Sequence, residues 1–150
     1  MGFIGRTPVR TFILYPIITL VWEYLITRGN LRFHPIGLPL MLWGYLQYRL
    51  CGRYRLKHGG GGPGLKTPPA RLVSSGPYAY TRNPMYLGHV IFLTGLTLTL
   101  QSWFAAAITI AVAVWFHYRV LGDEKRLAQH LGQPYVHYMN SVQRWIPGLF

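Results

Sequence analysis

The stretch "WFAAAITIAVAVWFHYRVL", Trp103–Leu121, carries one arginine and no acidic residue. A helix that crosses a bilayer needs about 20 mostly apolar residues, and this stretch has that length and character. Its apolar residues occupy every side of a helix, whereas the surface helix of a soluble protein shows one apolar stripe. The sequence therefore predicts a membrane-spanning helix here. A soluble bundle of very apolar helices is the weaker alternative.

Three further apolar segments precede it: Thr11–Ile26, Ile36–Tyr48 and Met85–Leu100. They are somewhat short for spans and need their flanking residues, but tryptophan and tyrosine stand at several segment ends, as at membrane interfaces. The first segment has no small-residue cleavage site after it, which favours a retained helix over a signal peptide. We expect an all-α polytopic membrane protein: one domain, residues 1–150, with about four transmembrane helices and a cytoplasmic C-terminal helical segment.

The charge is strongly unbalanced, with 15 Lys and Arg against three acids and a formal net charge of +12. Only 12% of residues are charged, against about 25% in a soluble domain, so a membrane is favoured over nucleic acid as the partner. The basic residues concentrate in the N-terminus, the loop after the second segment and the C-terminal tail. The positive-inside rule then predicts an integral protein of a bacterial inner membrane or an endomembrane, with both termini cytoplasmic.

The loop after the second segment contains "HGGGGPGLKTPPARL", which is typical of an irregular linker. We expect a flexible cytoplasmic loop over 52–75 and a functional core over 76–147. Residues Gly59–Gly64 match G-x-G-x-x-G, but no strand precedes them, so a dinucleotide site is not indicated.

The only acids are Glu23, Asp123 and Glu124. Asp123 has Arg119 four residues before it and Arg126 three residues after it, which favours an ion pair with these arginines. Glu124 lies on the face that points back along the apolar helix, where a carboxylate is costly and usually has a specific role. Glu23 is interpreted as an acid at the opposite interface. The six histidines lack a metal-site spacing, so no metal is predicted.

Three blocks appear in a distinctive order: "GPYAYTRNPMYLG" at 76–88, the acidic pair at 123–124, and "LAQHLGQPYVHYMNSVQRWIP" at 127–147. Together they resemble the isoprenylcysteine carboxyl methyltransferase / phospholipid methyltransferase family of integral membrane enzymes that use S-adenosylmethionine (SAM). The resemblance covers about half the chain. Asn83 stands where that family usually has histidine, and Asp123 where it has glutamate. Asparagine cannot titrate, so a mechanism with a base at this position is in doubt.

The resemblance implies SAM as methyl donor, with S-adenosylhomocysteine as its product, bound at the cytoplasmic ends of the last two helices and covered by the tail. It implies catalytic roles for Glu124, His89 and Arg144. The faces of tyrosine rings would suit the adenine ring or the sulfonium of SAM, and an acidic side chain would suit its positively charged groups. Arg82 or Arg144 would bind the carboxylate of SAM. The implied cofactor contacts are Gly76, Pro77, Tyr78, Arg82, Asn83, Pro84, Tyr86, Leu87, Gly88, His89, Asp123 and Glu124.

The acceptor implied is lipophilic or amphipathic, either an isoprenylcysteine carboxylate or a phospholipid amine, and membrane lipids are the other partners. An amine acceptor must lose a proton, with His89, His117 or Glu124 as candidate bases. Two alternatives stay open: a small four-helix membrane transporter or binding protein, and a nicotinamide-dependent reductase of related fold. The sequence does not predict the oligomeric state.

Overall fold

A computed structural model of the chain describes residues 6–62 and 68–146. The described residues form helices and contain no strand, which confirms the all-α prediction. We name the helices α1 (Thr7–Ile26), α2 (Leu38–Gly59), α3 (Pro84–Leu100), α4 (Trp103–Leu131) and α5 (Gln133–Ser141); short 3-10 turns cover Pro35–Gly37 and Gly76–Ala79.

Helix α1 contains a π-helical turn at Arg10–Leu14, just before Pro16. Proline has no backbone N–H, so the carbonyl one turn earlier cannot receive its usual hydrogen bond. The N–H of Tyr15 instead reaches the carbonyl of Arg10, five residues back. The proline therefore widens the first part of this helix without ending it.

Among the described helices, α1 and α4 are long and apolar enough to cross a membrane, and α3 is a shorter apolar helix. A core helix of a soluble protein is mostly buried. In contrast, only 22% of the most apolar part of α4 is buried, and side chains such as Ile110 and Val114 lie exposed. Such wide apolar surface on a monomer is typical of a membrane or interaction surface.

The chain divides into two compact units. The first comprises residues 6–46 and 88–114, and the second comprises 47–62, 68–87 and 115–146. Each is described by itself below.

In the first unit, α2 and α3 pack backbone against backbone. A Cβ atom added at Gly44 would lie 2.5 Å from both the Gly88 carbonyl oxygen and the Phe92 nitrogen. Gly37 and Gly95 form a second close backbone contact of the same kind. The glycines of these segments therefore allow a close helix crossing, because any side chain would push the two helices apart.

Helices α3 and α4 are joined by only two residues, Gln101 and Ser102. The Ser102 hydroxyl caps α4 by accepting a hydrogen bond from the Ala105 N–H at 3.0 Å. It also donates to the Glu23 carboxylate at 2.5 Å. The predicted interfacial acid thus lies at the N-terminus of α4, where a negative charge is favoured by the helix dipole.

In the second unit, α2 continues to Gly59, so residues 52–59 of the predicted flexible loop are helical. The physical reason is a core that the loop composition does not reveal. Its buried members are Cys51, Val73, Tyr78, Tyr135 and Tyr138. Gly59 itself lies against Val73, and Gly60, at φ +67°, then ends the helix with its N–H donating to the carbonyl of Leu56. Residues 63–67 of the predicted loop, and Pro147 at the end of the predicted core, lie outside the described residues.

Candidate functional site

The site begins at a glycine whose backbone no other residue would adopt easily. Gly76 has φ +58°, and an added Cβ would lie 2.7 Å from the ring of Tyr54. Pro77 then starts the 3-10 turn, and Pro84 starts α3, where a missing N–H costs nothing. The backbone at Gly76 therefore lies close against the Tyr54 ring, and this contact sets the direction of the loop at 76–83.

The C-terminal segment, Gln143–Ile146, is hydrogen-bonded along this loop. The Arg82 N–H donates to the Gln143 carbonyl at 3.0 Å. The Arg144 carbonyl accepts from the Thr81 hydroxyl at 3.1 Å and from the Asn83 side-chain amide at 3.3 Å. The residue that replaces the family's histidine therefore holds the backbone of the C-terminal segment, and it does so without a titratable group.

Tyrosines from the loop and from α5 strengthen the same junction from inside the core. The Tyr138 hydroxyl donates to the Tyr78 carbonyl at 2.6 Å, and the Tyr78 hydroxyl donates to the Cys51 carbonyl. Burial raises the pKa of both tyrosines, so both remain proton donors at neutral pH. Tyr78, predicted to contact the cofactor, has its ring in the core, whereas Tyr80 next to it is 70% exposed.

At the centre of the site, the Glu124 carboxylate lies between two guanidinium groups. Its Oε1 is 3.0 Å from Arg82 Nε, and its Oε2 is 3.0 Å from both Nε and Nη2 of Arg144. We call these three residues the Arg-Glu-Arg trio. Arg82 and Glu124 are almost fully buried, whereas the Arg144 side chain is 27% exposed.

The trio has one carboxylate for two arginines, so it carries a net positive charge. Arg82 also donates through Nη1 to the Met139 carbonyl at the end of α5. A buried carboxylate that forms ion pairs with two arginines holds both of them in a fixed geometry. The trio is therefore suited to an anionic group, which the more exposed Arg144 could bind in two-point fashion.

A second polar cluster lies one residue earlier on α4. The Tyr86 hydroxyl donates to Asp123 Oδ2 at 2.9 Å and accepts from Arg119 Nε at 3.0 Å. Arg119 is also 3.7 Å from Asp123, so the ion pair predicted for this acid is confirmed with Arg119, whereas the ion pairs of the described residues do not include one with Arg126. The Tyr86 ring packs on Phe116 with ring centroids 4.7 Å apart. Asp123 therefore orients Tyr86, and the charge of Asp123 is matched by one arginine.

Among the described residues, two clefts border the trio, and Arg144 lines both. The larger measures about 770 Å³ and is lined by Leu121, Gly122, Glu124, Lys125, Ala128, Gln129, Met139 and Arg144. The other measures about 480 Å³ and is lined by Arg82, His117, Gln143, Arg144 and Trp145. Both volumes are within the range of small-molecule sites. The larger cleft combines apolar side chains with two cations, Lys125 and Arg144.

The structure brings most of the predicted site residues into the second unit, but not all of them. Tyr86 and Leu87 lie at the start of α3 in that unit, whereas Gly88 and His89 belong to the first unit. There His89 is buried, and its ring stacks on Phe12 with centroids 4.8 Å apart. The Gly88 carbonyl is part of the crossing between α2 and α3.

Several residues of the site were not predicted from the sequence. Lys125, Gln129, Met139, Gln143 and Trp145 line the clefts. Trp145 also donates from its ring nitrogen to Nδ1 of His117 at 3.3 Å. The signal for Gln143 and Trp145 was their position on either side of Arg144 in the C-terminal motif. No sequence pattern indicated a site role for Lys125, Gln129 or Met139, because a cleft formed by two helices cannot be predicted from the sequence of either helix alone.

Comparison with known proteins finds a matching family and several similar sequences. A family model described as phospholipid methyltransferase matches residues 36–133. Protein-S-isoprenylcysteine O-methyltransferase of Schizosaccharomyces pombe is 32% identical over 78 residues, which cover 51% of this chain and 33% of that protein. Protein-S-isoprenylcysteine O-methyltransferases B and A of Arabidopsis thaliana are each 35% identical over 79 and 78 residues, covering 51% of this chain and 40% and 39% of theirs.

These matches confirm the family resemblance predicted from the three sequence blocks. The matched segments span well under half the length of these curated relatives. No solved structure matches the chain.

Proposed function

Because the chain belongs to the phospholipid methyltransferase family, we propose that it is a membrane-embedded methyltransferase acting on a lipophilic carboxylate. The proposed donor is SAM, and the proposed acceptor resembles the carboxyl group of an isoprenylated cysteine. Family membership also disfavours the transporter and reductase alternatives.

The observation that carries this proposal is the net positive trio between the clefts. An ammonium acceptor would be repelled by Arg82, Arg144 and Lys125, and it would need a base to remove its proton. A carboxylate acceptor needs no base and is attracted by these cations. The printed names of the three relatives describe O-methyl transfer to isoprenylcysteine, which agrees with the carboxylate acceptor.

The same residues fit SAM on charge and shape, with one change from the sequence-based hypothesis. Glu124 is already matched by two arginines, so we assign it the positioning of Arg82 and Arg144 instead of direct contact with the cationic groups of SAM. Arg144 would hold the carboxylate of SAM, and Lys125 in the larger cleft would attract the carboxylate of the acceptor. When bound, SAM supplies a methyl group on a positively charged sulfur.

The contribution of the chain is mainly alignment. Well-oriented reacting groups can gain about 7–11 kcal/mol relative to free reactants. The hydrogen bonds from Thr81 and Asn83 hold the C-terminal segment over the site, which would limit access of water. The proposal assigns no proton transfer to His89 or His117, because a carboxylate is already the nucleophile.

We further propose that α1 to α4 all span the membrane, with both termini in the cytoplasm. Helices α2 and α3 are the less apolar or shorter ones, and their exposed apolar side chains, such as Leu42 and Leu98, support lipid contact. The donor is water-soluble and the acceptor is lipid-like. A site at the cytoplasmic ends of the helices would give each of them access from its own solvent.

The test is methyl transfer by the purified full chain in detergent, with methyl-labelled SAM and two acceptors. One acceptor is an S-farnesylcysteine with a free carboxyl group, and the other is phosphatidylethanolamine. We expect label only in the first, as a methyl ester that mild alkali releases as methanol. The same acceptor with its carboxyl already esterified is the matched control. Label in phosphatidylethanolamine would refute the carboxylate acceptor, and label in neither acceptor would refute the activity.

A further inference from the structure

The C-terminal half of α2 has an exposed face that the proposed methyl transfer does not use. Arg49, Arg53 and Lys57 are four residues apart and exposed, so they form one row along the helix. Leu50 and Leu56 lie beside this row, 57% and 38% exposed. We call these five residues the basic face.

The other sides of this helical segment are occupied within the second unit. Cys51 is buried in the tyrosine core. The Tyr54 ring stacks on His58 with centroids 4.0 Å apart, and Arg55 donates to the Gly62 carbonyl at 2.9 Å. The segment is therefore held in one rotational position, and the basic face is the side that points outward.

The chain has no side-chain carboxylate to offer this face. It contains three acids in total. Glu23 accepts a hydrogen bond from a serine, Asp123 lies beside one arginine, and Glu124 lies between two. None of the three acidic side chains is therefore available as a counter-charge for the row of cations, which favours a ligand that brings its own negative charge.

We propose that the basic face binds the phosphate head groups of anionic phospholipids in the leaflet next to it. Cations alone would also suit a nucleic acid or an acidic protein. Exposed leucines beside the cations instead match the boundary between acyl chains and head groups, where lysine and arginine extend their aliphatic stems along apolar surface and their charges toward the head groups. This inference rests on the proposed topology, in which α2 leaves the membrane through this segment and thereby places the basic face next to the lipid head groups.

The size of the effect follows from the number of cations. A lysine or arginine near an anionic membrane surface contributes roughly a fivefold gain in association. Three cations acting together therefore give an upper limit of about 125-fold over a zwitterionic lipid. Screening by salt should reduce this gain, because the face is exposed.

The experiment uses the full chain in a nonionic detergent, titrated with phosphatidylglycerol or phosphatidylcholine carrying a fluorescent acyl chain and followed by anisotropy. We expect phosphatidylglycerol to bind at least about tenfold more tightly in 0.15 M salt, and the preference to shrink in 0.5 M salt. The variant R49Q/R53Q/K57Q should lose the preference. The single variant Arg53→Gln should keep the fold even if the triple variant does not. Its affinity for phosphatidylglycerol should fall roughly fivefold.

The matched control is R28Q/R32Q/R71Q, which removes three exposed cations elsewhere and changes the net charge equally. It should keep the preference for phosphatidylglycerol. Equal binding of the two lipids by the unaltered chain would overturn the proposal. So would an equal loss in the two triple variants, because overall charge and not the basic face would then attract the lipid.

Discussion

Replacing Glu124 by glutamine tests the centre of the site. Glutamine has nearly the same shape, so packing is preserved, but the negative charge between Arg82 and Arg144 disappears. The glutamine oxygen can still accept from one guanidinium, whereas its NH₂ group must then face the donors of the other. The perturbation is therefore an uncompensated positive charge in a buried position.

The size of the expected loss in unfolding free energy follows from the solvent exposure of the two arginine side chains. The Arg82 side chain is only 7% exposed, so it cannot regain water, and breaking one side of such a buried pair costs about 3–5 kcal/mol. Arg144 is 27% exposed and can turn partly to solvent, which favours the lower end of that range. We expect a loss of about 3 kcal/mol in unfolding free energy. For a chain of this size, that loss corresponds to a fall in Tm of roughly 6–12 °C.

The assay is thermal unfolding in detergent, followed by calorimetric titration with S-adenosylhomocysteine. Glu23→Gln is the matched control, because glutamine can still accept the hydrogen bond from Ser102 and only the interaction of the charge with the helix dipole is lost. Its cost should stay within about 1 kcal/mol. Glu124→Gln should also weaken the binding of S-adenosylhomocysteine by at least about tenfold, because Arg144 loses its fixed position. Equal Tm and equal affinity in the two variants would refute the role of the trio.

Three further predictions concern other parts of the chain. Arg144→Lys keeps the charge but loses the two contacts to one carboxylate oxygen, so kcat/KM for methyl transfer should fall about tenfold or more. Gly44→Ala places a Cβ 2.5 Å from the Gly88 carbonyl, and thermal unfolding should show a loss of about 1–3 kcal/mol. Burial raises the pKa of Tyr138, so above pH of about 10 the unfolded chain loses a proton that the folded chain keeps, and stability falls with rising pH. Tyr138→Phe should make that fall shallower.

Each of these has its own control. Unchanged kcat/KM in Arg144→Lys would show that charge alone matters at the trio. Gly122→Ala meets no atom within 4 Å and should stabilise α4 by up to about 1 kcal/mol, so a similar change in Gly44→Ala would contradict the close crossing. Below pH 9, Tyr138→Phe should still lower the free energy of unfolding by about 1 kcal/mol, because the hydrogen bond of the tyrosine is lost. If stability fell equally steeply above pH 10 in the variant and in the unaltered chain, the result would contradict a raised pKa for Tyr138.

Much of the fold and the family could be predicted from the residues in order. The helices follow from long apolar runs, and the family follows from three motifs whose spacing is a property of the chain itself. The ion pair of Asp123 with Arg119 was predictable for the same reason, because one helical turn separates them. The end of α2 was not, since the loop composition at 52–59 is overruled by a tyrosine core assembled from distant segments.

The sequence by itself determined which segments are helical and apolar and which residues are chemically unusual, because hydropathy, turn preference and motif spacing are local. Only the tertiary structure decided how those residues are used. It placed Glu124 between two arginines, Tyr78 in a core, and His89 on Phe12 in the first unit. Charge pairing and burial depend on distances between residues far apart in the chain, and no pattern within one segment contains those distances.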